Sequence, residues 1–408
     1  MTAFGAHFLF LQGMPCSLFR RVGKVLRSKG AKVSRINFCA GDWLFWPGEG
    51  AISYRGKQGG WPEFIERFFK EHRVTELVLL GEQRGYHKEA VRIAKEQGIR
   101  VWVTDFGYLR PDWITLERDG MGGDSRFPKN PSEILDRARE FPGSDFCPMF
   151  KDSGFGMGVR DIAYNYANLL FSWLFPNYRR SDRRPATLVY TATTAAFWLR
   201  TRINKKNNEA SAAALMDDNG VPFYVFPLQL DHDFQIIAYS KFSGMASAIE
   251  QVVASFAANA PQSSKLVIKV HPWDAGLKDW SKITASLAKQ SGVSDRVIYL
   301  GGGDLDSLAA QAQGMVTVNS TAGLKAMMLG CPVKVLGQAI FDVEGLSYQG
   351  SLNRFWLECT KPDPDLLAAF VKLLAHEFQI RGVFFQEPGL SVAVEQMSNR
   401  LWQGHFGG

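Results

Sequence analysis

The sequence of 408 residues has little of what marks a secreted, zinc-binding or membrane-spanning chain. It has no C-x-x-C pair, and its cysteines are odd in number and scattered: Cys16, Cys39, Cys147, Cys331 and Cys359. This pattern favours neither a disulfide framework nor a zinc site and is typical of a reducing compartment. No uninterrupted apolar run approaches about 18 residues, which disfavours a spanning helix. The N-terminus also has no basic region followed by an apolar stretch and a small-residue cleavage site, so we expect no signal peptide. We therefore expect a cytoplasmic protein that is soluble or peripheral to a membrane.

Neither sign of charge dominates the sequence. Lysine and arginine total 47 against 40 acidic residues, which gives a net charge of +7 and a pI near 9.1. A mild basic excess is compatible with an anionic substrate, a nucleotide or an anionic membrane face, and it is too diffuse for a dedicated nucleic-acid binder. The 30 Phe and 11 Trp residues supply ample apolar surface for sizeable cores.

Short apolar runs alternate with amphipathic stretches, beginning with Phe8–Leu11 and Ser17–Ser28. Strands separated by helices of this length predict parallel sheets built from right-handed βαβ units. A polar, proline-bounded segment at 176–185 is interpreted as the domain junction, and a second alternating series follows it. We therefore predict an α/β protein with two Rossmann-like, doubly wound domains that face a central cleft. The predicted domains are 1–180 and 181–387, and 388–408 is a C-terminal helix and tail that packs back on the N-terminal domain.

Ligands of doubly wound sheets bind beyond the carboxyl ends of the strands. This rule directs attention to the loops that follow Leu11, Leu80, Val103, Val270 and Val318, all of which are polar or contain glycine.

Asp105 follows a predicted strand and precedes a glycine turn and Arg110. A carboxylate at the carboxyl end of a strand can face a cleft as nucleophile or base. The alternative is that Asp105 caps a turn through its own backbone, as aspartate commonly does.

Two further segments have donors suited to an anion. His271 follows a buried strand directly and lies beside Lys269, so it can bind a phosphate; the alternative is a solvated loop histidine. Asn319-Ser320-Thr321 leads from a strand into a helix, whose N–H groups and dipole favour an anion. Simple N-capping by Ser or Thr is the alternative for that turn.

A basic cluster of Arg179, Arg180, Arg183 and Arg184 follows the apolar, Trp-containing stretch 169–175. Such a face can rest on an anionic bilayer surface. The alternative is a buried helix followed by a solvated linker.

Motifs along the chain, in their order and combination, resemble those of a known family. The matching stretches are Leu11-Gln12-Gly13, Ile36-Asn37-Phe38 with Gly41-Asp42, Tyr54-Arg55-Gly56, Gly81-Glu82-Gln83-Arg84 with Tyr86-His87, the run from Gly107 to Glu117, Pro227-Leu228-Gln229 with Asp233, His271-Pro272, and Asn319-Ser320-Thr321-Ala322-Gly323. The chain resembles the bacterial capsule polysaccharide β-Kdo transferases of the KpsS, LipB and KpsC type. Its single-module length resembles the KpsS type.

The resemblance implies a GT-B-like glycosyltransferase that retains configuration at the anomeric carbon and needs no metal or other cofactor. The implied donor is CMP-Kdo, and the implied acceptor is a lyso-phosphatidylglycerol-type lipid at the cytoplasmic face of the inner membrane. The product would be the first β-linked Kdo of the linker of a group 2 capsule. Other capsule assembly proteins are further implied partners, and nucleic acid is not. Two alternatives stay open: a transferase that uses another CMP-sugar such as CMP-sialic acid, and a non-catalytic capsule assembly or export scaffold.

The resemblance also assigns site residues by position. The donor-binding residues are Gln229, Lys269, His271, Pro272, Asn319, Ser320, Thr321 and Gly323. The acceptor or cleft residues are Gln12, Gly13, Arg84, His87, Tyr108 and Arg110. The expected catalytic residues are the carboxylate Asp105 and His271. Glu82 and Glu117 are the alternative candidates for the catalytic carboxylate. This chain departs from the family pattern, because family members commonly carry two consecutive acids before the glycine whereas Asp105 is followed by Phe106.

Overall fold

The computed structural model of this chain is a mixed α/β protein and describes residues 5–143, 145–180, 186–217, 220–231 and 233–406. The chain divides into two compact units. Unit 1 comprises the described residues of Met1–Phe127, Phe141–Ser181 and Val371–Gly408, and unit 2 those of Pro128–Glu140 and Asp182–Phe370.

Strands and helices alternate through most of both units. The strands of the described residues are β1 (His7–Phe10), β2 (Lys32–Asn37), β3 (Ala51–Ser53), β4 (Glu76–Leu80), β5 (Arg100–Phe106), β6 (Trp113–Arg118), β7 (Phe223–Pro227), β8 (Lys265–Lys269), β9 (Val297–Leu300), β10 (Gly314–Thr317), β11 (Val333–Val335) and β12 (Gln379–Arg381). Their α-helices are α1 (Leu18–Ser28), α2 (Ala40–Phe45), α3 (Trp61–His72), α4 (Gly85–Glu96), α5 (Pro131–Arg139), α6 (Gly154–Leu170), α7 (Thr187–Ile203), α8 (Lys205–Asp217), α9 (Phe234–Tyr239), α10 (Met245–Asn259), α11 (Trp280–Gln290), α12 (Leu305–Gln311), α13 (Thr321–Met328), α14 (Leu352–Glu358), α15 (Pro364–Leu373) and α16 (Gly389–Phe406).

The sheet of unit 1 has the order β12-β6-β5-β4-β1-β2-β3. Five of its strands are parallel, and the two central ones, β1 and β4, are buried on both faces: Phe8, Leu9 and Phe10 of β1 are all fully buried. Continuous apolar strands are typical of parallel sheets covered by helices on both sides. The edge differs from the predicted all-parallel sheet, because β6 and β12 run antiparallel. The chain turns back from β5 at Gly107, where the backbone of Trp113 leaves no room for a Cβ atom.

The sheet of unit 2 has the order β11-β10-β7-β8-β9, and its strands are all parallel. Counted within each unit, the parallel strands of both sheets follow the order 3-2-1-4-5 of the doubly wound fold. The prediction of two Rossmann-like units is confirmed. Strand order reverses between β1 and β4 in unit 1 and between β7 and β10 in unit 2. The loops that follow these strand pairs are called the unit 1 switch point and the unit 2 switch point.

The C-terminal helix packs on unit 1, as predicted. Helix α16 lies against α1, where Lys29 Nζ donates to Asn399 Oδ1 at 2.9 Å. Leu401 and Met397 of α16 are fully buried in the same core as Phe8.

The unit boundaries differ from the predicted ones. The chain returns to unit 1 at Val371 and not at residue 388, since β12 completes the sheet edge beside β6. Residues 128–140, assigned by sequence to the first domain, belong to unit 2. The predicted junction at 180/181 adjoins residues 181–185, which lie outside the described residues.

Candidate active site

A buried amide pair joins the two loops of the unit 2 switch point. Gln229 Nε2 donates to Asn319 Oδ1 at 2.9 Å, and the Asn319 N–H donates to Gln229 Oε1 at 3.1 Å. Asn319 Nδ2 also donates to the carbonyl of Gln235 at 2.8 Å. Both side chains are buried. These two predicted donor-site residues therefore fix the loops to each other.

Ser320 caps the N-terminus of α13, with its Oγ accepting from the Ala322 N–H at 3.2 Å. The capping alternative raised by the sequence thus applies to this side chain. Thr321 is half-buried in the first turn of the helix. The helix starts at the carboxyl edge of the sheet, where its positive dipole end favours an anion.

His271 lies two residues beyond β8 and is half-buried. The Trp273 N–H donates to His271 Nδ1 at 3.1 Å. A ring nitrogen that accepts this bond carries no proton, so the neutral ring carries its proton on Nε2. The histidine is therefore in the tautomer that presents an N–H donor through Nε2. Pro272, the next residue, is exposed.

Lys269 ends β8 and is buried, with 6% of its surface exposed. Burial lowers the pKa of the Lys269 ammonium, and the negative charge of Asp304 opposes that shift. Lys269 therefore brings a shielded positive charge to the same edge of the sheet as His271.

Two glycines predicted for the site permit close packing. A Cβ at Gly323 would lie 2.9 Å from Thr317 Cγ2 and 3.0 Å from the Phe341 ring. A Cβ at Gly13 would lie 2.7 Å from the Phe19 ring. A side chain at either position would push these neighbours away. Each glycine thus lets its loop pack closely against the residues around it, which helps to fix the position of the loop.

The unit 1 switch point contains a buried polar network around Gln12. Gln12 Nε2 donates to Asp42 Oδ1 at 3.2 Å and to Tyr164 Oη at 2.5 Å. Arg35 pairs with Asp42 at 3.5 Å, and burial lowers the pKa of Arg35 while Asp42 opposes the shift. From the loop that follows β4, Arg84 Nη1 donates to Gln12 Oε1 at 3.4 Å. Gln12 thus links a buried ion pair to an arginine in the loop that follows β4.

Asp105 is half-buried near the end of β5, next to that same loop. Its Oδ1 accepts from the Phe106 N–H at 2.7 Å, and its Oδ2 lies 4.0 Å from the position of a Cβ at Gly81. Burial raises the pKa of Asp105, while the Phe106 N–H and the charges of Arg84 and Arg110 lower it. The structure thus brings Asp105 and Arg84 together at Gly81, and Arg110 lies over the ring of the adjacent Phe106.

The reserve acid Glu117 is fully engaged inside unit 1. Its Oε1 accepts from Tyr108 Oη at 2.8 Å, and its Oε2 accepts from Ser125 Oγ. Burial raises the pKa of Glu117 to about 8, with the two hydroxyl bonds opposing the shift and Glu82 adding to it. Glu82 is also buried. Glu117 and Tyr108 therefore form an internal support for the hairpin of β5 and β6.

His87, predicted at the acceptor cleft, is only 1% exposed. Its Nδ1 lies 2.9 Å from the carbonyls of both Leu80 and Gly81, to which it donates. Burial, with a smaller contribution from Arg84, lowers the pKa of His87 to about 3. The ring therefore acts as a neutral donor that fixes the end of β4, where two carbonyls need a partner.

Sequence reasoning missed Tyr164 altogether and took Asp42 only as part of a motif. Tyr164 lies 152 residues from Gln12 in the chain. A helical projection of 154–170 would have given a signal, because Tyr164, Asn165 and Asn168 fall on one polar face. Asn168 Oδ1 accepts from the N–H of Gly41, beside Asp42, at 2.7 Å.

Glu117 makes folding stability depend on pH. Since its pKa rises from 4.5 to about 8 on folding, the folded state binds the extra proton between these values. The contribution of Glu117 to the free energy of unfolding should therefore fall as pH rises from about 5 to 8, by at most about 1.4 kcal/mol per pH unit. Because the lowered pKa values of His7 and His87 act in the opposite direction below about pH 6.5, the total should show this decline between about pH 7 and 8. We expect Glu117→Gln to flatten this decline in thermal melts, while Glu140→Gln, at an exposed glutamate, leaves it unchanged. If the free energy of unfolding of Glu117→Gln fell with pH as steeply as that of the wild type, the assignment of this pH dependence to Glu117 would be contradicted.

Comparisons with known proteins support the family resemblance that was drawn from the motifs along the chain. The family model described as "Capsule polysaccharide biosynthesis protein" matches residues 75–385. The chain is 30% identical over 393 residues to the capsule polysaccharide modification protein LipB of Neisseria meningitidis serogroup B, covering 93% of this chain and 92% of the relative. It is 30% identical to the capsule polysaccharide export protein KpsS of Escherichia coli, covering 93% and 97%. Among solved structures, Thermosulfurimonas dismutans KpsC, a beta Kdo 2,7 transferase, matches with 14% identity, a TM-score of 0.47, and 97% and 99% of the two chains. The chain belongs to the capsule polysaccharide biosynthesis protein family.

Proposed function

We propose that this protein is a retaining β-Kdo glycosyltransferase. In this proposal it transfers Kdo, an acidic ulosonic sugar, from CMP-Kdo to a (lyso)phosphatidylglycerol acceptor and starts the linker of a group 2-type capsular polysaccharide. The observation that carries the proposal is 30% identity, over 93% of the chain, to proteins of capsule polysaccharide modification and export. The donor and the acceptor come from the resemblance of the motifs, and the two switch points supply chemistry that suits them.

The donor is assigned to the unit 2 switch point. A CMP-sugar has a single phosphate, which leaves with the nucleotide as the glycosidic bond breaks. His271 Nε2–H, the N-terminus of α13, the Thr321 hydroxyl and the Lys269 ammonium are donors or positive groups at one edge of the sheet. Such groups stabilise a leaving phosphate without a divalent ion. We therefore include metal independence in the proposal.

The nucleophile is assigned to Asp105. Its carboxylate attacks the anomeric carbon, and the bonding electrons leave with CMP. The acceptor hydroxyl then attacks the same carbon, loses its proton to a base and displaces the carboxylate. Two inversions give net retention, as in retaining glycosidases. Arg84 and Arg110 favour the ionised carboxylate that this step needs, against the effect of burial.

The direct test is to incubate the purified protein with lyso-phosphatidylglycerol and either CMP-Kdo or CMP-sialic acid, with and without excess EDTA. We expect mass spectrometry of the lipid to show one added Kdo from CMP-Kdo alone, at an unchanged rate in EDTA. Product from CMP-sialic acid instead would establish the other CMP-sugar. No lipid product from either donor, with a folded protein, would favour the scaffold. Loss of activity that Mg²⁺ or Mn²⁺ restores would overturn metal independence.

His271→Ala should lower kcat/KM for CMP-Kdo by about 10² to 10³, the loss typical of removing one donor to a developing negative charge. His271→Gln keeps an N–H donor and should recover part of that loss. Ser320→Ala should cost less, because backbone N–H groups of α13 remain. Steady-state kinetics measure these effects and thermal melts establish folding. Wild-type kcat/KM in a folded His271→Ala protein would exclude the phosphate role.

Asp105→Asn should abolish transfer, with a loss of at least about a thousandfold, because the amide cannot ionise. The amide oxygen still accepts from the Phe106 N–H, so thermal stability and CMP binding should stay close to wild type. Lipid mass spectrometry, melts and calorimetric CMP titration measure the three properties. Substantial activity in Asp105→Asn would remove Asp105 as nucleophile and redirect attention to Glu82. A large loss of stability would favour the turn-capping role instead.

A further inference from the structure

Helix α6 exposes an apolar stripe along one face. At about 100° per residue, positions 155, 159, 162, 166, 169 and 170 fall within roughly a third of the helix circumference. Phe155 is 84% exposed, Ile162 51% and Leu170 65%, and the following turn adds Trp173 at 71%. This exposure excludes the alternative that the apolar stretch is a buried helix. We call this surface the α6 stripe.

The opposite face of α6 packs inward and is largely polar, apart from Met157, which contacts the unit 1 core. Tyr164 bonds to Gln12, Asn168 accepts from the N–H of Gly41, and Asn165 is 6% exposed. Surface helices of soluble proteins normally place their apolar face inward and their polar face toward water. The polarity of α6 is therefore inverted.

Helix α2, which packs on α6, has the same inverted arrangement. Asp42 of α2 points into the Gln12 network with a side chain only 1% exposed. Its neighbours Trp43 and Leu44 are 50% and 45% exposed. Both helices thus give their polar groups to the unit 1 switch point and their apolar groups to the surface. Apolar groups exposed together on a surface mark an interaction site.

We propose that the α6 stripe docks on the surface of an anionic lipid bilayer, with α6 lying in the plane of the interface. The charges favour this occupant. From Ile162 to Arg180 the chain has no acidic residue, and the exposed cations Lys151 and Arg179 flank the helix. An apolar face with Trp and Phe, bordered by basic residues, is typical of helices at lipid–water interfaces.

The helix geometry agrees with a surface position. Phe155 and Leu170 are separated by about 22 Å along the helix axis, at about 1.5 Å per residue. Within the described residues, no helix has both the length and the apolar character that crossing a membrane requires. Arg183 and Arg184, the rest of the predicted basic cluster, lie outside the described residues.

Docking by the α6 stripe would bring the unit 1 switch point to the bilayer. Tyr164 lies on the same helix as the stripe and bonds directly to Gln12, so the stripe and the polar network share one rigid element. This consequence rests on the proposed function, which places a lipid acceptor there, whereas the docking itself does not.

Co-sedimentation of the full chain with vesicles tests the proposal in the absence of any donor sugar. We expect the wild type to bind phosphatidylglycerol-containing vesicles more tightly than pure phosphatidylcholine vesicles. Leu170→Ser and Trp173→Ser should each weaken that binding about tenfold, the effect of no longer burying one large apolar side chain. Leu357→Ser is the matched control, because Leu357 is a leucine 70% exposed on α14 of unit 2.

Failure of wild-type binding, or equal losses in Leu170→Ser and Leu357→Ser, would overturn the proposal. Light scattering that shows a wild-type dimer and a Leu170→Ser monomer would also overturn it, in favour of a second copy on the stripe. A separate transfer assay with a short-chain, water-soluble acceptor distinguishes failure of the docking proposal from failure of the proposed function, because it does not require vesicle binding. A wild type that binds vesicles but transfers nothing contradicts only the function, and a wild type that transfers but does not bind contradicts only the docking.

Discussion

The reversal of strand order between two central parallel strands is the constraint on which both units depend. At such a point the two neighbouring loops lead away in opposite directions and leave a crevice between them. Gln12, Gln229 and Asn319 are buried at these two points. Buried polar groups must then find partners within the protein. Gln229 and Asn319 satisfy each other in unit 2, and Gln12 meets Asp42 and Tyr164 in unit 1. Each sheet thus fixes a pair of loops with a glutamine that follows its first strand.

The extent of burial distinguishes titratable residues that stabilise the fold from those that are candidates for catalysis. Glu117 and His87 are held by protein partners and have pKa values shifted far enough to keep them neutral near pH 7. Asp105 and His271 are only half-buried and lie in loops or strand ends at the carboxyl edges of the sheets. A reactive group must be reachable by substrate as well as perturbed. Exposure, more than the size of the pKa shift, therefore favours Asp105 over Glu117.

The alternation of apolar runs was sufficient to predict the parallel strands around both switch points and the loops that follow them. It did not predict β6, which forms a hairpin with β5 but follows a stretch where Gly107, Pro111 and Asp112 interrupt the pattern. Nor did it predict β12, whose pairing with β6 joins segments far apart in the chain. Nor did it predict the role of Tyr164, whose partner Gln12 is 152 residues away. The apolar stretch before the arginines was recognised, but only the structure shows that it faces outward. Local pattern determines which elements form, and distant contacts determine which faces they bury.

The assignment of the donor nucleotide to the unit 2 switch point is the central claim of this account. Hydrogen exchange of the full chain, measured with and without CMP, tests it most directly. The account predicts slower exchange in the segments 269–273 and 319–323 of unit 2, where His271 and the first turn of α13 would contact the phosphate. Unchanged exchange in both segments at saturating CMP, or protection confined to residues 11–13 and 81–84 of unit 1, would contradict it.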